Sequence, residues 1–129
     1  SKTMSTLAVG TIKSISSAAP VFQNTSGTEI GMLSKAWIRF NGSNMSIQAS
    51  FNVSSITDQG TGAYDVNFAS AFSDANYAFA GMCSNDNNGL AIGSDTAAPS
   101  TTSARVIVFD SASGSGQQDS DNVGFVIFR

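Results

Sequence analysis

Closely spaced Asp and Asn residues are the groups in this sequence best suited to bind a ligand. They lie in polar stretches rich in Ser and Gly, and the candidate ligand-binding residues are Asn85, Asp86, Asn87, Asp95, Asp119 and Asp121. Their carboxylate and amide oxygens can coordinate a hard cation or hydrogen-bond a polar ligand. A calcium loop of the EF-hand type is excluded because its closing Glu is missing; the only Glu of the chain is Glu29. Asx residues of this kind usually form turns, so we predict no metal site and keep these loops as candidates for contact with a glycan or a protein.

The residue types exclude most catalytic machinery. The chain has no His, which rules out His-based triads and most zinc sites. Its single Cys, Cys83, cannot form an intrachain disulfide and has no His to activate it as a nucleophile. Asp119 and Asp121 are weak candidates for a glycosidase pair, because such carboxyl groups must flank a sugar cleft and these two share one polar loop. We therefore predict no enzymatic activity and no cofactor.

Charge and hydropathy exclude two further kinds of partner. Six Lys plus Arg against nine Asp plus Glu give a net charge of -3 and a pI of about 4.4. A phosphate backbone repels a negative protein, so we predict no nucleic-acid binding. The longest apolar runs, Val106–Phe109 and Phe125–Phe128, are far shorter than the roughly 18 to 20 residues that cross a bilayer. We predict no membrane insertion.

Alternating apolar and polar residues predict the strands that carry these loops. In Met45–Val53 every second residue is apolar, which indicates a strand with one buried and one solvated face. Ala36–Phe40 alternates in the same way, and Asn41–Asn44 between the two runs suits a tight connection. Residues 35–53 are therefore predicted to form a β-hairpin.

Further apolar runs of strand length predict an all-β domain. Val53–Ile56 and Tyr64–Phe68 flank a turn with two glycines and predict a second hairpin. Tyr77–Cys83 has the pattern of a central strand buried on both sides, and two more β-branched and aromatic runs follow it. No segment has helical apolar spacing. We predict an antiparallel β-sandwich of the jelly-roll type over residues 35–129, with a barrel as the alternative.

Residues 1–34 differ from the rest of the chain. Their apolar residues, among them Leu7, Val9, Ile12, Ile15 and Phe22, are spread among Ser, Thr and Ala without a sustained period. An extended segment cannot bury such side chains on itself, and burial of each large one is worth roughly 1.5 to 3 kcal/mol. We predict an extended N-terminal arm that trimerises the chain or attaches it to a neighbouring protein. The alternative is that residues 1–34 pack as edge strands on their own domain.

Trp37 is the aromatic residue best placed to meet a partner. It lies on the opposite strand face from Ala36, Ile38 and Phe40, so we predict that it points away from the core. It then stacks on a ligand or is buried against another chain, and we favour the other chain because Arg39 follows on the same face. The predicted subunit-interface residues are Leu7, Val9, Ile12, Ile15, Phe22, Trp37 and Arg39.

Several segments of the sequence resemble those of a known family. Gln23–Gly31, Lys35–Gly42 and Ser50–Phe68, together with the closing Val126–Arg129, resemble the C-terminal β-rich module of tail-fibre and related virion proteins of tailed bacteriophages, in particular cyanophage-like ones. The likeness spans residues about 20 to 129. In that family the module is similar to a trimeric tip carried on a stalk.

The resemblance implies a structural role and a location. It implies a homotrimer at the surface of a phage particle, assembled in the host cytoplasm together with other virion proteins, with distal loops that meet a host-surface glycan or receptor. One alternative is a capsid decoration or head-fibre protein attached through residues 1–34. Another is a free carbohydrate-binding module that uses Trp37, Tyr64 or Tyr77, the aromatic residues able to offer a sugar both an apolar face and a hydrogen bond.

Overall fold

The computed structural model describes residues 4–84, 90–93, 98–110 and 116–129. Regular structure in these ranges consists of β-strands, and they contain no helix, hence none long and apolar enough to cross a membrane. The strands are β1 (Phe22–Gln23), β2 (Glu29–Gly31), β3 (Ala36–Asn41), β4 (Ser46–Phe51), β5 (Val53–Asp58), β6 (Ala63–Phe68), β7 (Ala78–Ser84), β8 (Leu90–Gly93), β9 (Ser103–Asp110) and β10 (Asn122–Phe128). The prediction of an all-β chain is confirmed for the described residues.

The chain divides into two compact units, Ser1–Met32 and Leu33–Arg129. In the first unit, β1 and β2 pair as a short antiparallel ribbon. The turn between them is closed by the Oδ1 atom of Asn24, which accepts hydrogen bonds from the backbone N–H groups of Ser26 (3.0 Å) and Thr28 (2.9 Å). Such an Asx turn satisfies the backbone locally.

The second unit contains two antiparallel sheets of four strands each. The first sheet has the order β4-β3-β10-β7 and the second has the order β5-β6-β9-β8. Both predicted hairpins are present: β3 pairs with β4, and β5 pairs with β6. The last strand, β10, lies between β3 and β7, so the carboxyl end of the chain pairs on both sides within the first sheet.

The two four-stranded sheets share one hydrophobic core. Alternate residues of the strands turn inward, as the period of two requires. The rings of Phe40 from the first sheet and Tyr64 from the second meet edge to face with their centroids 5.2 Å apart. The buried cluster consists of Ala36, Ile38, Phe40, Tyr64, Val66, Phe68, Tyr77, Ala104, Val106, Val108, Val123, Phe125 and Ile127.

A β-bulge divides the apolar residues of β4 between the two faces of the first sheet. Opposite β3, Phe51 faces Trp37, whereas Ile47 faces Phe40, and the register shifts between Arg39 and Phe40. Residues directly opposite each other share a face. The prediction that the alternating apolar residues of 45–53 share one buried face is therefore wrong, because the extra residue of the bulge reverses the alternation.

Strand β7 lies at the edge of the first sheet. It pairs with β10 on one side only within that sheet, and most of its side chains are exposed. The prediction of a central strand buried on both sides is wrong. The small residues Ala78 and Ala80 stand on either side of the larger Phe79 in β7, a pattern also found in buried strands, but here the face that carries Ala78 and Ala80 is exposed.

Asn52 forms the corner between β4 of the first sheet and β5 of the second. It adopts a φ of 54°, a left-handed conformation that Asn tolerates better than most residues. Its Nδ2 group donates hydrogen bonds to the carbonyl oxygens of Lys35 (3.0 Å) and Ser70 (3.3 Å), and its Oδ1 atom accepts one from the Ser70 N–H (2.8 Å). One side chain thus satisfies three backbone groups where the chain changes sheet.

Candidate functional site

The outer face of the first sheet is apolar. Trp37 lies between two cross-strand neighbours, Phe51 on β4 and Val126 on β10. Ala80 on β7 stands opposite Val126, and Met82 stands opposite Gly124. We call this surface the apolar face, defined by Trp37, Phe51, Ala80, Met82 and Val126.

These side chains are exposed to an extent unusual for their type. The exposed fraction is 39% for Trp37, 54% for Phe51 and 81% for Met82, whereas the inward neighbour Ile38 is 2% exposed. A cavity of about 450 Å³ lies on the face between Trp37 and Met82, above the small residues Ala80 and Gly124. The prediction that Trp37 points away from the core is confirmed.

Arg39 limits the apolar face on one side. Its guanidinium Nη2 group donates a hydrogen bond of 2.6 Å to the Oδ1 atom of Asn122 on the neighbouring strand. A second cavity of about 300 Å³ lies between Arg39, Met82 and Cys83. Arg39 therefore provides a polar rim beside an apolar centre, the arrangement typical of protein interfaces.

The outer face of the second sheet has the opposite character. Arg105 forms a two-point ion pair with Asp65, with distances of 2.7 and 3.0 Å, which holds the pKa of that carboxyl below its usual range. Next to this pair, Asn67 donates hydrogen bonds to the hydroxyl oxygens of Ser55 (3.0 Å) and Thr57 (2.9 Å). These polar groups hydrogen-bond to one another, so the part of this face that β5, β6 and β9 describe around Asp65 and Asn67 is polar, in contrast to the outer face of the first sheet.

Asp119 is engaged in hydrogen bonds within its own chain. Its Oδ1 atom accepts bonds from the Tyr64 hydroxyl (2.7 Å) and from the Gly62 N–H (2.8 Å). Burial, and then the bond to Asp119, raise the pKa of Tyr64 far above its ordinary range. Gly42 lies directly over the Tyr64 phenol: a Cβ there would sit 2.7 Å from Cζ of the ring and 2.8 Å from the Ser120 carbonyl oxygen.

Of the other predicted ligand-binding residues, Asp121 is the one that lies in the described part of the chain, and its hydrogen-bond partner differs from those of Asp119. Asp121 accepts a hydrogen bond of 2.7 Å from the Ser43 hydroxyl, at the connection between β3 and β4. Asn85, Asp86, Asn87 and Asp95 lie outside the described residues. Across the described ranges, no three Cys, Asp or Glu side chains come together as a metal site would require.

Two of the three aromatic residues considered for sugar stacking are inside the core. Tyr64 is fully buried, and Tyr77 is buried with its hydroxyl near the carbonyl oxygens of Ser100 (3.1 Å) and Ser103 (3.2 Å). Neither ring offers a face to a ligand. Of the three, only Trp37 is placed to stack on anything.

The predicted interface residues of the first unit are exposed. Leu7, Ile12 and Ile15 are largely open to solvent, and Val9 and Phe22 are about half exposed. Hydrogen bonds within residues 4–20 are confined to Ser14, Ser16 and Ala18. The segment thus presents apolar side chains and free backbone groups together.

Sequence reasoning found Trp37 and Arg39 but missed Phe51, Ala80, Met82 and Val126. The strict alternation through Phe51 gave no sign of the bulge, and the pattern of residues 77–83 resembled a buried strand. The available signal was the alternation of small and large residues in β7, and this pattern fits a buried central strand as well as an edge strand with one exposed face.

Comparisons of the chain with protein-family models, with curated proteins and with solved structures find no match.

Proposed function

We propose that this chain is a non-enzymatic structural virion protein of a tailed phage, a homotrimeric fibre-tip module whose loops contact a glycan or protein of the host surface. The virion assignment rests on the resemblance of residues 20–129 to tail-fibre modules. The assembly assignment rests on the apolar face.

The apolar face is the observation that carries the proposal. Soluble monomers rarely leave a contiguous apolar patch of this kind exposed, and such patches usually mark a contact with another molecule. An aromatic anchor beside an Arg rim is the composition expected where two protein surfaces meet. The hydrogen-bonded outer face of the second sheet supports the same conclusion, because it is the kind of surface that remains in water.

The fold inferred for the body is an antiparallel β-sandwich of the jelly-roll type. The shared core of the two four-stranded sheets supports it, as does the Asn52 corner that passes the chain from one sheet to the other. The first 34 residues serve as the attachment and trimerisation arm. Their exposed Leu, Val and Ile side chains support that role.

Two competing functions have less support. A glycosidase would need free carboxylates, but Asp119 and Asp121 are both occupied by hydrogen bonds within the chain. A free carbohydrate-binding module has support from one ring only because, of Trp37, Tyr64 and Tyr77, both tyrosines are buried and Trp37 alone is exposed. A capsid decoration or head-fibre protein would also assemble through the apolar face. Locating the labelled chain on phage particles distinguishes the two roles: label at the tail tip supports a fibre tip, and label on the head supports the alternative.

The test is the mass of the full chain in solution. Sedimentation velocity and native mass spectrometry at micromolar concentration should give three chains of 13.3 kDa each. Met82→Lys places a charge on the apolar face and should dissociate the assembly. Thr57→Lys adds the same charge to the polar outer face of the second sheet and should leave the mass unchanged.

A wild-type monomer at micromolar concentration overturns the proposal. A trimer that survives Met82→Lys removes the apolar face as its basis.

A further inference from the structure

Among the described residues, two apolar surfaces are exposed to solvent. One is the apolar face of the first sheet. The other is the arm segment, residues 4–20, whose large apolar side chains include Leu7 (79% exposed), Ile12 (63%) and Ile15 (107%). Burying two such surfaces against each other removes both from water in a single contact.

The two units of the chain carry formal charges of opposite sign. Residues 1–32 contain Lys2, Lys13 and Glu29 and so have a formal charge of +1. The whole chain has a formal charge of -3, so residues 33–129 carry -4. Residues 1–28 contain the two lysines and no acidic residue. Opposite charges attract the leading segment of one copy toward the body of another and discourage contact between two bodies.

The apolar face has room for side chains of another chain. Ala80 and Gly124 carry little or no side chain, so they leave the cavity of about 450 Å³ between the larger Trp37 and Met82. An aliphatic side chain such as Leu or Ile placed there contacts the Trp37 ring on one side and the Met82 thioether on the other. Spaced aliphatic residues on a segment without regular structure can lie along such a surface.

We propose that the arm segment of one copy lies over the apolar face of another copy, so that Trp37 is covered by Leu, Val and Ile side chains of a neighbouring subunit. This inference rests on the proposed self-assembly and specifies its contact. In this arrangement the outer face of the second sheet remains in water. The polar side chains described on that face already hydrogen-bond to one another.

Trp37 reports directly on this contact because it is the only Trp of the chain. In the assembled protein its fluorescence should be blue-shifted and weakly quenched by acrylamide. Substituting Leu7→Ser, Ile12→Ser and Ile15→Ser together should raise the quenching constant several-fold and shift the emission to the red. The matched control Thr6→Ser, Thr11→Ser and Ser17→Ala alters as many residues of the arm segment without removing an aliphatic side chain, and it should behave as wild type.

Cross-linking between two differently labelled proteins tests the same contact without disturbing the fold. Both carry Cys83→Ser; one adds Val9→Cys and the other adds Ala80→Cys, so that each has a single thiol. Mild oxidation of the mixture should give a disulfide-linked pair containing one chain of each kind. Replacing the second protein by one with Ser55→Cys, on the polar outer face of the second sheet, should abolish that mixed product.

The outcomes separate this inference from the proposed self-assembly. An assembled protein in which Trp37 is freely quenched, or which keeps Trp37 protected after the triple arm substitution, overturns arm exchange and leaves self-assembly standing. Absence of the mixed disulfide overturns it as well. A chain that is monomeric at every concentration overturns both, including the case where Trp37 is protected in the monomer.

Discussion

The hydroxyl group of Tyr64 donates a hydrogen bond of 2.7 Å to the Oδ1 atom of Asp119 and ties an exposed carboxylate to the centre of the core. Tyr64 is fully buried, so its hydroxyl needs a partner inside the protein. Gly42 makes room for the phenol. The Asp119 side chain, which the sequence marks as a candidate ligand, therefore anchors the polar segment before β10.

Tyr64→Phe should destabilise the protein more than Tyr77→Phe. The first substitution removes a bond to a charged acceptor, worth about 1.5 to 3 kcal/mol, and the second removes bonds to neutral carbonyl groups, worth about 0.5 to 1.5 kcal/mol. Both changes keep the ring and hence the packing. Urea unfolding at neutral pH measures the two free energies, and an equal loss in the two variants would contradict the role given to Asp119.

Neither tyrosine should ionise in the folded protein near pH 10. Burial raises the pKa of both Tyr64 and Tyr77, the chain has no other tyrosine, and an unperturbed phenol is half ionised at about pH 10. Because the folded-state pKa values lie above the unfolded ones, the stabilisation is complete below about pH 10 and is lost as the pH rises further.

The near-ultraviolet absorbance of tyrosinate checks this. At about pH 10 the native protein should show less of the signal than the same protein shows in guanidinium, where its phenols titrate normally. The full signal should appear together with the loss of circular dichroism. Tyrosinate forming near pH 10 in a protein that is still folded would count against buried hydroxyl groups.

Phe40→Ala and Phe51→Ala should have different consequences although both remove a phenyl ring from the same hairpin. Phe40 is fully buried and its loss leaves a cavity, so unfolding should cost about 3 to 5 kcal/mol less. Phe51 is 54% exposed, so its loss should change the unfolding free energy of a single chain by less than about 1 kcal/mol. Its effect should fall on assembly instead.

Denaturant unfolding in a Met82→Lys background separates folding from assembly. Sedimentation of the two single variants supplies the second measurement. If Phe51→Ala destabilises the isolated chain as strongly as Phe40→Ala, then Phe51 belongs to the core and the bulge assignment is wrong.

Much of the local structure can be predicted from the sequence. The hairpins β3–β4 and β5–β6 and the outward direction of Trp37 follow from alternation with a period of two and from Asn- and Gly-rich turns. These signals lie within about 20 residues of chain, and each needs only its immediate neighbours to act. The absence of His is likewise a fact of composition, and it removes whole classes of chemistry without reference to any fold.

Contacts between distant parts of the chain decided the remainder. Phe51 faces outward because a bulge in β4 shifts the register against β3, and β7 is an edge strand because β10, nearly forty residues later, occupies its inner side. Asp119 meets Tyr64 across 55 positions of sequence. The period of the apolar residues and the turn residues describe each strand alone. Register, strand order and hydrogen-bond partners depend on how separate strands pack. Packing therefore decided that β7, whose sequence resembles a core strand, forms part of an exposed apolar surface.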